Sequence, residues 1–410
     1  MFSFRTTPLS EQPDIVLRSG KIAILCNQSA WHPERGEYLL ETYHKKGLLK
    51  RVFIPEHGLF GELQDQVKLD NTDAYQKMAP GCEFVSLYGS SKESLTIRSE
   101  KLTDIDALIV DIQDAGARYY TFTSTLFGLF RTLKAQGINL PVYLIDRINP
   151  MGRQVEGTML REGYSSFIGE EGIPHRHGLT FGELANYFYN EINAKFPLHI
   201  ISYASEAVNR ELMPWSIPPS PNIPGLFTCH FYSGQCLWEG TNISEGRGTT
   251  RPFEVFGAPF MEELISFNES NGYDNWNDPE HPLHDPAVYL RWHKFIPQFH
   301  KYAGETCFGF QLHPVPGRQY HALAHNLRIV RFAAQNCSGF EFRPGKYEAG
   351  NEKTAIELLA GDPMIVNYLK GDEEWETLKE EMKHEEQKWI RKAKRVMLYE
   401  EQLYRCKQII

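Results

Sequence analysis

Fifteen consecutive residues, Trp238 to Pro252, hold two carboxylates, two guanidiniums, four hydroxyls and an amide, jointed by three glycines. Little in this block builds a core, although Phe231, Tyr232 and Leu237 lead in and Phe253, Val255 and Phe256 lead out. A polar, Gly-jointed loop between apolar flanks is where function concentrates. Arg247 and Arg251 suit a bidentate carboxylate or phosphate. Asn242 and Thr249 suit hydroxyls or an acetamide, and Glu239 and Glu245 add two acids. The same inventory also fits a loop held by its own ion pairs.

Other acids stand elsewhere. Glu56 and His57 follow an apolar run, with Pro55 before and Gly58 after. A carboxylate partly withdrawn from water gains the raised pKa that a general acid needs. A turn cap, or a partner for an Arg, is the plainer use. Asp111, Gln113 and Asp114 precede Arg118 and Tyr119. Asp111 suits a loop brace, Asp114 suits a helix N-terminus, and either suits a base. Glu170 and Glu171 precede His175, Arg176 and His177. With His57 and Asp111, His175 and His177 would make a metal site of a metal-dependent hydrolase. An HxH pair is common, and hydrogen bonding to substrate or to the acids is its simpler use.

No GxSxG and no Cys–His context appear, so serine and cysteine hydrolase chemistry lacks support. Converging carboxylates, aromatics and amides suit glycoside hydrolysis instead. That reaction needs a proton donor and a nucleophile or base around an oxocarbenium-like transition state. A non-catalytic binder of cell-wall sugars is the remaining class.

The elements that must position these groups alternate strand and helix. Strands are predicted at Lys21–Cys26, Lys50–Ile54, Glu83–Leu87, Ile105–Asp111, Pro141–Asp146 and His199–Tyr203. Helices are predicted at Glu34–Lys46, Tyr119–Gln136 and Thr180–Ile192, the last with a capping box of Thr180 and Glu183. Continuous apolar strands separated by helices imply a Rossmann-like, doubly wound parallel sheet of the α/β class. Five strands run into polar motifs: Asn27-Gln28-Ser29, Glu56-His57, Tyr88-Gly89, Asp111 to Gly116, and Asp146-Arg147-Ile148-Asn149. Carboxyl ends of parallel strands form the binding crevice of such sheets, so the five describe one site. No GxGxxG or GxxxxGK[ST] is present, so a dinucleotide is not indicated.

Five prolines between Met213 and Pro224 stiffen the chain, and the boundary is placed there: residues 1–212 and 213–410. The second part reads as α+β, with helices at Ala355–Ala360 and Glu373–Arg405. Trp375, Leu378, Met382, Trp389, Val396 and Leu403 would mark the packed stripe of the latter.

The 410 residues carry a formal charge of −9, which disfavours nucleic acid and anionic membranes as partners. Seven scattered cysteines read as small buried thiols of a reduced compartment. No apolar run reaches membrane-spanning length, and Met1 to Ser10 lacks the pattern of an export signal. The chain as given reads as cytoplasmic, or as periplasmic or secreted if a signal was removed.

Long motifs then carry a resemblance: FIPEHGLFGELQ (53–64), LYG, DIQDAGARYYTF (111–122), DRINPMG, FIGEEGIPHRHGLT (167–180), PPSPNIP, and WEGTNISEGRGTTRPFEVFGAP (238–259). In this order they resemble a bacterial family long classed as of unknown function. Some of its members are described as exo-β-N-acetylmuramidases (NamZ-like). The resemblance covers nearly the whole chain. It implies a Rossmann-like domain, a second domain and a cleft between them. It implies release of terminal N-acetylmuramic acid from the non-reducing end of peptidoglycan fragments. It places the family's catalytic glutamate on Glu56. Asp111 and Glu170 are the further catalytic candidates, either able to orient the acetamide if that group attacks the anomeric carbon. Asn27, His57, Gln113, Arg118, Tyr119, Arg147, His177, Asn242, Glu245 and Arg247 are the substrate-binding candidates. Arg247 or Arg118 would meet the lactyl carboxylate. No metal or cofactor is expected.

Overall fold

Runs such as IAILC and ALIVD contain no polar alternate, so they can be buried only with both faces covered. In the computed structural model these two and four further runs are strands: β1 (Ile22–Cys26), β2 (Leu49–Ile54), β3 (Glu83–Ser86), β4 (Ala107–Asp111), β5 (Val142–Ile145) and β6 (Leu198–Ile201). The structure describes residues 20–32, 35–64, 72–87, 96–202, 218–348, 351–407 and 409. The six strands form one parallel sheet in the order β6-β5-β4-β1-β2-β3.

Alternate residues serve opposite faces. Ile22, Ile24 and Cys26 pack with Leu40 and Tyr43 of helix α1 (Leu39–Lys45). Ala23 and Leu25 pack with Leu126 and Leu129 of α2 (Phe122–Ala135) and with Leu184 and Phe188 of α3 (Phe181–Glu191). Helices thus cover both faces, as the α/β reading expects. The chain leaves β1 toward β2 and leaves β4 toward β5, so direction reverses between β1 and β4. Cys26 pairs with Asp111 at the carboxyl ends of those two strands. A doubly wound sheet binds its ligand at such a reversal.

Thr180 caps α3 through the capping box with Glu183. All the predicted helices but Ala355–Ala360 are trimmed, two of them by several residues. The first starts only at Leu39, because Trp31–His32 and Glu37–Tyr38 form a small antiparallel ladder. The last α-helix spans Trp375–Ala393 and ends well before Arg405. Tyr404–Arg405 instead adds a parallel strand to Gln154–Met159, which pairs on its other side with Pro174–Arg176. Leu378, Met382 and Trp389 of the helix are buried in the main core.

The remaining sheet is antiparallel, with Cys307–Pro314 between Val255–Ala258 and Val288–Phe295. A helix, α4 (Leu226–Gln235), leads into the polar block. One apolar cluster runs from Leu25 through Trp238 and Phe310 to Trp389, so the two halves share a core. The boundary expected at 212/213, and Tyr88-Gly89 and Tyr203, lie outside the described residues. All seven cysteines are buried and none is in a disulfide. Among the described residues no helix is long and apolar enough to cross a membrane.

Candidate active site

The turn after β2 is shaped by its backbone. His57 has φ 73°, a conformation that side chains other than glycine rarely adopt, and Gly58 follows at φ 86°. A side chain at Gly58 would run into the Glu62 carboxylate. His57 and Leu63 lock the loop from both sides. The His57 carbonyl accepts Leu63 N–H at 2.9 Å, and His57 Nδ1–H donates to the Leu63 carbonyl at 3.0 Å. The strained turn holds Glu56 at the lip of the sheet with 6% of its surface exposed. Thr121, the residue before α2, donates its hydroxyl to Glu56 Oε2 at 2.5 Å.

The neighbouring strand ends are knitted to one another. Arg147, just past β5, donates Nε to Asp111 Oδ1 at 2.9 Å and Nη2 to the Ser29 carbonyl at 2.7 Å. Burial raises the Asp111 carboxyl above its ordinary range, and Arg147 opposes the shift. Asn27 bridges Ser29 N–H and the Gln113 carbonyl. Gln113 donates to the Asp114 and Ile148 carbonyls. Asp146 serves structure: it accepts Gly182 N–H at 2.7 Å and the Thr180 and Tyr399 hydroxyls at 2.8 and 2.7 Å. Burial pushes its carboxyl up to about 6.

Behind Glu56 lies a different arrangement. Asp114 Oδ2 accepts Gly116 N–H at 2.7 Å, while its Oδ1 is buried without a hydrogen-bond partner. Gly116 has φ 90°, and a Cβ there would strike the Asn149 amide oxygen. His177 Nδ1 accepts Leu179 N–H at 3.2 Å, so the ring proton sits on Nε2. That nitrogen lies 3.9 Å from Asp114 Oδ2, too far for a bond. Tyr120 packs its ring 6.1 Å from His57. Burial holds its phenol well above the ordinary range; a hydrogen bond with Ser220 opposes the shift, and the Glu56 and Asp114 charges add to it.

Arg118, Tyr119 and Glu170 are not brought to this group. Arg118 is fully buried and donates to the carbonyls of Thr158, Leu359 and Ala360 at 3.1, 2.9 and 2.8 Å and to His175 Nε2 at 3.0 Å. It clamps the carbonyl end of the helix Ala355–Ala360, a favourable place for a cation. Burial lowers it to about 10. Tyr119 donates its hydroxyl to the Ser233 carbonyl at 3.0 Å and stands edge-on to His175. Glu170 is fully buried and pairs with Arg131 at 3.2 Å, on the outer side of α2. The proposed metal ligands also turn to separate partners. His175 gives Nδ1–H to the Thr158 carbonyl and Nε2 to Arg118, and burial with that cation holds it well below its usual range. Among the described residues no three His, Cys, Asp or Glu side chains are placed to hold a metal ion.

The polar block of residues 238–252 is more buried than its composition suggests. Trp238 is fully buried and stacks on Phe256 at 4.9 Å, and Ile243 is fully buried. Arg247 pairs with Glu239 at 2.6 Å and with Glu245 at 3.1 Å. Lys301 adds a 2.9 Å bond to Glu245 and further bonds to the Trp238 and Ile243 carbonyls. Burial alone would raise Glu245; Lys301, His300 and Arg247 outweigh it and hold the carboxyl well below the carboxylate range. Asn242 joins backbone groups of Gly339 and Glu341 at 2.7 and 3.0 Å. Glu245, Arg247 and Asn242 are thus engaged within the second half of the chain. An aromatic file still links the regions: Arg247 over Phe253, Phe253 against Tyr232, Tyr232 against Tyr120.

Residues not singled out as site candidates from sequence tie the loops together. Gln28 donates to the Pro218 carbonyl, and Asn222 to Gln64 Oε1 at 2.9 Å. The described end of the proline-rich segment, residues 218–224, therefore rests on the loops after β1 and β2. Thr121 and Tyr120 stood within a quoted motif, but only their position beside Glu56 marks them.

Residues 22–226 match the family model for the N-terminal part of exo-beta-N-acetylmuramidase NamZ, and residues 230–399 match the model for its C-terminal part. The chain is 35% identical over 287 residues to the peptidoglycan beta-N-acetylmuramidase NamZ of Bacillus subtilis. That alignment covers 69% of this chain and 65% of the relative, just under two thirds of the relative's length. Two crystal structures of DUF1343 family proteins from Bacteroides fragilis share the fold. One has TM-score 0.75 at 22% identity, covering 96% of this chain and 97% of its own. The other has 0.70 at 24%, covering 96% and 98%. With both halves matched, the chain belongs to the exo-β-N-acetylmuramidase NamZ family.

Proposed function

We propose that this protein is an exo-acting glycoside hydrolase that releases β-linked N-acetylmuramic acid from the non-reducing end of peptidoglycan fragments. One observation carries the reading: Glu56, nearly buried at the carboxyl end of β2, is held through one oxygen by Thr121. A glycosidase acid needs one carboxyl oxygen fixed and the other able to carry a proton. Family membership and the muramidase activity named for the Bacillus subtilis relative support the substrate class.

Glu56 then protonates the glycosidic oxygen as the bond breaks and later activates water. The lactyl carboxylate requires a cation. Arg118 and Arg247 are engaged elsewhere, which favours Arg147: its side chain is 11% exposed, and Nη1 has no hydrogen bond among the described residues. Incubation with 4-nitrophenyl β-N-acetylmuramide and its glucosaminide counterpart tests the proposal. Cleavage of the muramide alone is expected. Equal cleavage of both, or of neither, overturns it.

A further inference from the structure

Buried polar groups in folded proteins are almost always hydrogen-bonded, so a cluster of exceptions calls for an explanation. Asp114 Oδ1 and His177 Nε2 are two such exceptions, and the Tyr120 hydroxyl beside them faces the Ser220 hydroxyl. They adjoin one another. His177 Nε2 lies 3.9 Å from Asp114 Oδ2, and Tyr120 feels both Glu56 and Asp114. Their chemistry is complementary: a carboxylate that accepts, an imidazole N–H that donates, and a phenol that can do either. A small group bearing one N–H and one carbonyl oxygen would complement them.

The other acids proposed for orienting the acetamide are already paired. Asp111 faces Arg147, and Glu170 faces Arg131. Among the described residues, Asp114 has no cation within ion-pairing distance except the His177 ring.

We propose that Asp114 is the second catalytic residue, accepting the N–H of the sugar's 2-acetamido group while Tyr120 and His177 hold its carbonyl oxygen. The inference rests on the muramidase reading above. As Glu56 gives its proton to the glycosidic oxygen, the C1–O bond breaks and the leaving saccharide departs neutral. The acetamide oxygen bonds to C1 in its place, forming a cyclic oxazolinium. Positive charge grows on its N–H, and the Asp114 carboxylate stabilises it or takes that proton. Glu56, now ionised, removes a proton from water; the oxygen attacks C1 and the ring opens. The nitrogen recovers its proton, and both carboxyls return to their starting states. The product forms first as the β anomer. Substrate assistance of this kind needs one acid/base and one residue on the acetamide, with no protein nucleophile.

The test uses the intact protein. Proton NMR of a β-muramide digest is expected to show the β anomer of N-acetylmuramic acid first; the α anomer first overturns the proposal. Retention also fits a protein nucleophile, so a muramic thiazoline, a neutral mimic of the bicyclic intermediate, supplies the second arm. It is expected to inhibit the wild type competitively and to bind Asp114→Ala at least about tenfold more weakly. Asp114→Ala should also lose about 10²- to 10³-fold in kcat, with circular dichroism unchanged. Equal thiazoline affinity in the two proteins overturns the proposal while leaving the muramidase reading intact. Absence of any muramide cleavage by the wild type removes both.

Discussion

The strand ends around Glu56 and the block around Arg247 are both polar and both buried, yet they are wired in opposite ways. Around Arg247 every charge is ion-paired, Glu239 and Glu245 on the guanidinium and Lys301 on Glu245, although Glu245 Oε1 makes no aligned hydrogen bond. Around Glu56, a histidine N–H, a carboxylate oxygen and a phenol stand within one group without bonding each other. A closed network rigidifies, because each group's desolvation is offset by its neighbour. An open one is costly to the free protein and makes sense where a ligand completes it. The more conspicuous block of the sequence is thus a brace, and the quieter strand ends are the proposed site.

Mutations can break that contrast. Glu56→Gln should lower kcat on the muramide by about 10³-fold with stability little changed. Wild-type turnover in that variant would remove Glu56 from the chemistry. Arg247→Met should do the reverse, since it strands two buried carboxylates. A loss of about 3–5 kcal/mol in urea unfolding is expected, with the folded fraction keeping its kcat. A raised KM at unchanged stability would instead return Arg247 to the substrate.

Acid should separate the two regions next. The folded pKa of Glu245 is depressed, so its contribution is complete above the unfolded carboxylate value of about 4.3 and is lost as pH falls below it. Urea midpoints taken from roughly pH 6 to pH 3 should fall more steeply for the wild type than for Glu245→Gln. Identical slopes would show that this carboxylate is not held as described. The smallest effect belongs to Arg251, four positions from Arg247 but 58% exposed against Glu254. Arg251→Ala should cost less than about 1 kcal/mol, because water already screens the pair.

The sheet was legible because fully buried parallel strands leave continuous apolar runs, as IAILC and ALIVD do. The position of Glu56 was legible because loops after such strands form the crevice. What sequence spacing could not reveal was which polar groups are already satisfied. Arg118 meets Leu359 and Ala360 across 241 and 242 residues, and Arg147 meets Ser29 across 118. A guanidinium clamping a distant helix end and one gripping a sugar have the same local pattern. The long C-terminal helix was misjudged for a related reason. Its charged run continues past Ala393, but pairing of Tyr404–Arg405 with Gln154–Val155 overrides helix propensity there.

That return of the chain also sets a clock. Trp389 Nε1–H donates to the His177 carbonyl at 2.8 Å, across 212 residues of sequence. On a ribosome working at roughly 5–20 residues per second, His177 waits about 10–40 s before the tryptophan that fastens its backbone exists. The strands of the sheet can pair long before that moment. The geometry around Asp114 cannot be finished until it arrives, so the sheet precedes the completed pocket during synthesis.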